Sequence, residues 1–127
     1  MEMGLEPCAY SMTFNVTGNR LNGILNQRSQ DILAANNWNV VQYSVLIHMM
    51  AQVSGLKPGE LVHVISDAHI YDRHVDIISE MIERPQYPAP KFILNPEVKN
   101  FYDFTTDDIR VEDYQKNPQI KNIPIAV

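Results

Sequence analysis

The stretch from Tyr10 to Val16 sets the first constraint on the fold: Tyr10, Met12, Phe14 and Val16 alternate with Ser11, Thr13 and Asn15. Period two gives a strand one apolar face and one polar face. Thr17-Gly18-Asn19 then signals a turn. Leu21 to Gln27 follows as the returning strand of a hairpin. Leu21, Ile24 and Leu25 do not alternate cleanly, which predicts a bulge near Gly23. After Asn36 and Asn37 the period changes. Val41, Val45, Met49 and Val53 recur at helical spacing, and Leu46 and Met50 widen that stripe. Asn39 is placed to cap this helix and Gly55 to end it.

Leu56-Lys57-Pro58-Gly59 reads as a loop, and Leu61 to Ile65 as a largely buried strand. A second helix is predicted from about His74 to Arg84, with Val75, Ile78 and Ile82 on one face and Pro85 as its stop. Pro85, Pro88 and Pro90 make a stiff connector to a short strand, Lys91 to Leu94. Phe101-Tyr102-Asp103-Phe104 and Asp107-Asp108-Ile109 read as single helical turns, and Val111 to Tyr114 as an edge strand. Hairpin, helix, strand, helix and short strands, in that order, fit an α+β fold. A length of 127 residues suits one domain with a core of its own.

Charge narrows the function classes. Ten Lys and Arg stand against 15 Asp and Glu, a formal charge of −5. Nucleic-acid binding through a dense basic face is not expected. A small phosphorylated ligand held by one or two arginines remains compatible. No apolar run approaches the roughly 20 residues that a membrane helix needs, so no membrane partner is expected. No basic and apolar leader opens the chain, so secretion is not indicated. The single cysteine, Cys8, cannot form an internal disulfide. That fits a reducing compartment, and a cytoplasmic location is expected.

Cys8 is therefore either a buried structural thiol or a reactive one. The thiolate is the nucleophilic form, and a neighbouring cation favours it. If the hairpin forms, Arg28 returns past Cys8, able to hold a phosphate and to stabilise the thiolate; its plainer reading is a solvated strand residue. Ser29 could add a hydroxyl donor, or be an ordinary strand-end residue. Asp31 alone reads as a solvated or helix-start residue. Asn39 offers one acceptor and two donors, which meet a carbonyl and an adjacent N–H on one edge of uracil. Cytosine reverses that pattern. The competing role for Asn39 is the helix cap. His69 and Tyr71 share a face if the strand continues that far, and both could bond a sugar hydroxyl; a satisfied histidine and a packed tyrosine are the alternative. Asp67, His69 and His74 match no metal-ligand spacing, and no metal is expected. His48 and His63 read as structural. Trp38 could stack on a flat ring or lie in the core.

Taken in order, Pro7-Cys8, Gln27-Arg28-Ser29-x-Asp31, Asn39, Asp67-x-His69-x-Tyr71 and the terminal Ala126-Val127 resemble the C-terminal part of thymidylate synthase. The resemblance runs along essentially the whole chain from about Leu5. It implies an α+β fold with a mainly antiparallel sheet that packs on the same sheet of a second subunit, hence a homodimer. It implies residues 1–127 as a single domain, the catalytic C-terminal portion of such an enzyme, in which residues 1–4 are a start or an expression scar. The implied activity is the reductive methylation of dUMP to dTMP with 5,10-methylenetetrahydrofolate as co-substrate. Cys8 would be the nucleophile. Gln27 would line the nucleotide site, Arg28 and Ser29 would hold the phosphate, and Asn39 would read the uracil edge. His69 and Tyr71 would hold the deoxyribose hydroxyl. Asp31 would bind the folate pterin, Leu33, Trp38 and Ala126 would line the folate pocket, and Val127 would help close it.

Some positions depart from the family pattern. Ala9 stands where histidine is frequent, Ser66 and Ala35 where glycine is frequent. The resemblance begins just before the cysteine. In the family the preceding portion supplies further phosphate-binding arginines and a glutamate for proton transfer. The expectation is a chain that is a poor enzyme alone, and a separate N-terminal part is a further partner that the resemblance raises. Two other readings compete: a relative that hydroxymethylates a pyrimidine nucleotide, and a non-catalytic fragment. Asn39 speaks against the cytosine version of the first, since aspartate would be expected there.

Overall fold

Three strands and one helix follow directly from the change of hydrophobic period after the hairpin. In the computed structural model, which describes residues 6–125, strand β1 spans Ala9–Thr17 and strand β2 spans Arg20–Asp31. They pair antiparallel across the Gly18-Asn19 turn, with Thr17 opposite Arg20 and Phe14 opposite Gly23. Helix α1, Asn36–Val53, follows, and strand β3, Lys57–His69, pairs parallel to β2. The strand order is β1-β2-β3. Parallel neighbours need a crossover, and α1 supplies it. Its 18 residues rise about 27 Å, enough to return the chain to the starting end of β2.

The buried side chains explain how the helix is seated. Leu21, Leu25, Ile47 and Ala51 are the buried apolar residues of this layer, two from β2 and two from α1. Along β2, Leu21, Gly23, Leu25 and Gln27 are buried while Ile24 and Arg28 are exposed, as period two requires. The expected helical stripe is displaced. Val41 is exposed, and the deepest helix positions are Ile47 and Ala51. Gly23 gives the reason. A side chain there would meet Met12 and would stand 3.0 Å from Ile47 Cδ1, so Ile47 occupies space that Gly23 leaves open.

The expected irregularity near Gly23 lies between β2 and β3, where the register shifts between Leu21 and Gly23. Asn22 Oδ1 accepts the Glu60 N–H there at 2.9 Å. The hairpin itself is regular at Gly23, and its shift falls between Ala9 and Ser11. At the end of α1, Leu56 N–H bonds to the Ala51 carbonyl (2.8 Å) and Gly55 N–H to the Gln52 carbonyl (3.1 Å). This closing motif needs a left-handed residue, and Gly55 has φ +67°.

The chain forms two compact units, divided between His69 and Ile70. The second carries a turn of tight helix at Asp72–His74, helix α2 at Val75–Ile82, and strands β4 (Lys91–Leu94) and β5 (Ile109–Glu112). β4 and β5 are antiparallel, Phe92 opposite Val111 and Leu94 opposite Ile109. Single helical turns lie at Phe101–Asp103 and Thr106–Asp108, as expected. Hydrogen bonds from Asn95 and from Thr105 hold the Asp108 carboxyl below its usual value. Within this unit the final stretch is tied down by side-chain donors. Arg84 Nη1 reaches the Pro118 carbonyl (2.9 Å), buried His74 Nε2 that of Pro124 (2.8 Å), and Arg73 Nη1 that of Ile125 (3.0 Å).

The architecture is α+β with a mixed sheet; among the described strand pairs, β1–β2 and β4–β5 are antiparallel and β2–β3 is parallel. No helix among the described residues is long and apolar enough to cross a membrane.

Candidate active site

Pairing directions bring the start of β1 and the ends of β2 and β3 to one end of the sheet. Ala9 stands opposite Gln27, Ser29 opposite Asp67, and Asp31 opposite His69. The carboxyl ends of adjacent parallel strands are where α/β layers commonly bind ligands. Seven of the sequence-expected residues gather here: Cys8, Gln27, Arg28, Ser29, Asp31, Asn39 and His69.

Cys8 and Arg28 are joined twice. Arg28 N–H donates to the Cys8 carbonyl at 2.7 Å. Its Nη2 lies 3.6 Å from Cys8 Sγ and 3.2 Å from the Glu6 carbonyl oxygen. The thiol is half-buried, and the guanidinium beside it is a permanent cation. A thiol and a guanidinium, a group that can hold an anion, therefore occupy one spot.

Gln27 is 2% exposed and uses its whole amide. Nε2 donates to the Ser29 carbonyl at 2.8 Å and to Asn39 Oδ1 at 3.3 Å. Oε1 lies 2.9 Å from His63 Nε2. Burial pushes the His63 imidazole below its usual value, which favours the neutral ring. Asn39 is not the helix cap. Its N–H bonds to the Ala35 carbonyl at 3.1 Å inside the first turn of α1, and Ala35 holds the cap position. The entry to α1 is closed by Asp31 instead, whose Oδ1 accepts the N–H groups of Leu33 (2.9 Å) and Ala34 (3.0 Å). The Asn39 side chain is thereby released from capping and faces Gln27.

Asp67 was legible in the sequence as a motif member, without a role. Its Oδ2 lies 3.4 Å from Ser29 Oγ and 3.4 Å from His69 Nδ1, so one carboxylate joins two candidate residues across the β2–β3 pair. Period two along β3 puts Asp67 and His69 on one face, and that signal was available. His63 shares the same period, but a strand pattern gives it only a structural reading, since nothing in it shows what lies across the sheet. β3 ends at His69, so the alternation does not extend to Tyr71. Tyr71 belongs to the second unit, its ring edge-on to His74 at 5.7 Å. Of the residues that the resemblance assigns to a folate pocket, Leu33 is half-buried and Trp38 is 77% exposed, so Trp38 is not core. Ala126 and Val127 lie outside the described residues.

With this geometry in place, the comparisons are direct. A sequence profile described as thymidylate synthase matches residues 1–127. Thymidylate synthase of Clostridium beijerinckii is 48% identical over 119 residues, which are 92% of this chain and 45% of that protein. That of Bacillus licheniformis is 43% identical over 118 residues, 93% of this chain and 42% of that protein. The solved structure of thermostable thymidylate synthase A from Bacillus subtilis superposes with a TM-score of 0.92 at 40% identity, covering 96% of this chain and 44% of that one. The chain thus spans under half the length of these relatives. On sequence and on fold, the chain belongs to the thymidylate synthase family.

Proposed function

We propose that this chain carries the nucleophile and the base-reading portion of a site that converts dUMP to dTMP. The observation that carries the reading is the pairing of Cys8 with Arg28, with the Gln27–Asn39 amide pair at the same end of the sheet. The Cys8 thiolate adds to C6 of the pyrimidine, and the electrons of the C5–C6 double bond move onto the ring. C5, now nucleophilic, bonds to the methylene carbon of methylenetetrahydrofolate and then loses its proton. Tetrahydrofolate leaves and returns a hydride to the exocyclic methylene, so the folate is oxidised to dihydrofolate and Cys8 is expelled from C6. Covalent addition divides a difficult substitution into easier steps.

Arg28 and Ser29 hold the phosphate, since a guanidinium matches phosphate geometry and a hydroxyl adds a donor. Gln27 lines the nucleotide site and Asn39 reads the uracil edge. His69, steadied by Asp67, and Tyr71 take the sugar hydroxyl. On the co-substrate side Asp31 Oδ2 bonds the pterin, because Oδ1 is engaged in the turn, and the exposed indole of Trp38 with Leu33 offers an apolar wall. The family resemblance gives Ala126 and Val127 a part on the folate side, where excluding water favours the chemistry. The sheet face away from α1 exposes Ile24, Val62 and Val64, and we assign it to contact with a second copy of the chain. A monomer by light scattering would speak against that assignment. Cytoplasm is the proposed location.

Nucleotide titration tests the base reading. The purified chain should bind dUMP more tightly than dCMP, and Asn39→Asp should invert the preference, since a carboxylate accepts from the cytosine amino group and has no donor for uracil O4. Equal affinities in both proteins would overturn it.

A further inference from the structure

An amide is a reader only when its orientation is fixed. With nitrogen toward the 4-position and oxygen toward N3, the Asn39 side chain matches uracil. Rotated by half a turn, it matches cytosine. Something must choose, and the choice is traceable. The Ser29 carbonyl can only accept, so the Gln27 atom 2.8 Å from it is the nitrogen. That nitrogen's second hydrogen goes to Asn39 Oδ1 at 3.3 Å, which turns Asn39. The other end of Gln27 is then its oxygen, 2.9 Å from His63 Nε2, and an oxygen there requires a hydrogen on Nε2.

We propose that His63 is a positioning residue for base selection: its Nε2–H locks Gln27, and Gln27 locks the Asn39 amide in the uracil-reading orientation. The inference rests on Asn39 being the base reader. Burial disfavours the charged ring, so one nitrogen carries the hydrogen and the tautomer matters. A ring protonated on Nδ1 alone would aim a lone pair at Gln27 Oε1 and favour the flipped amide. Gln27 is 2% exposed, so water cannot readily substitute for the missing donor.

Two measurements on the full chain test this. Long-range ¹H–¹⁵N spectra should show His63 as the Nε2–H tautomer; the Nδ1–H tautomer would overturn the proposal without any nucleotide present. Calorimetric titration with dUMP and with dCMP should show the affinity ratio falling about tenfold in His63→Leu, the scale of one lost buried partner. His63→Asn, which keeps an N–H donor, should restore part of it. If His63→Leu weakens both nucleotides equally and leaves the ratio unchanged, His63 is merely structural and the proposal fails. The Asn39→Asp titration separates the two levels. Inverted preference there with an unchanged ratio in His63→Leu defeats only the present inference. No inversion defeats the base-reader reading, and this inference with it.

Discussion

Replacing Gln27 by leucine is the sharpest stability test of the site as described. The side chain is 2% exposed and makes three hydrogen bonds, at 2.8, 2.9 and 3.3 Å. Each bond contributes about 1 kcal/mol net, the longest of them less. Leucine has similar size and returns some apolar burial, but it leaves the Ser29 carbonyl, Asn39 Oδ1 and the His63 ring without their partner. The expected loss is about 2–3 kcal/mol. Urea unfolding followed by circular dichroism resolves this, since a slope of about 1–3 kcal/mol per molar converts it to a midpoint shift of roughly 0.7–3 M. Gln27→Glu should be worse, because it buries a charge and has no donor for either oxygen partner. A Gln27→Leu variant within about 0.5 kcal/mol of the parent chain would refute the reasoning, as would a glutamate variant more stable than the leucine one.

Other outcomes follow from local geometry. Gly55→Ala should cost about 1–2 kcal/mol, because a side chain at φ +67° meets the left-handed penalty; an unchanged midpoint would contradict the closing motif of α1. Burial pushes both His48 and His63 below the ordinary imidazole value of 6.5. Just below that pH the unfolded chain binds more protons than the folded one, so stability is complete above it and falls as pH drops through the folded-state values. The stability lost between about pH 7.5 and pH 5 should be smaller in the His48→Gln, His63→Gln double variant. An equal loss in both proteins would sink the assignment.

Legibility in the sequence tracked how local the deciding physics was. The hairpin of β1 and β2 was readable because alternation from Tyr10 to Val16 and the Gly18-Asn19 turn are short-range signals. Its parallel partner β3 was recognised as a strand, but the direction of pairing depends on α1 crossing back, and no residue in β3 encodes that. The buried face of α1 is not fixed by periodicity, because valine, leucine, isoleucine and methionine occur on most of the helix surface. The empty volume at Gly23, thirteen residues before the helix starts, decides that Ile47 turns inward. Asn39 is a candidate both for the cap and for base reading, and its N–H bond to the Ala35 carbonyl inside the first turn excludes the cap. Cys8 and Arg28 met as the hairpin predicted. His63 was legible only as a strand residue, since its partner lies 36 positions away in sequence. Asp67 carried a readable same-face signal with His69, and its link to Ser29 depended on the β2–β3 register.

The central claim is that Cys8 is a nucleophile in a pyrimidine-nucleotide site. The most direct measurement is the intact mass of the purified chain after incubation with 5-fluoro-dUMP and methylenetetrahydrofolate, followed by peptide mapping. Fluorine at C5 cannot leave as a proton does, so the reaction stops with the nucleotide attached. The account predicts an adduct carrying nucleotide and folate on the peptide that contains Cys8, and none on Cys8→Ser. An unmodified Cys8, or an equal adduct on the serine variant, would contradict it.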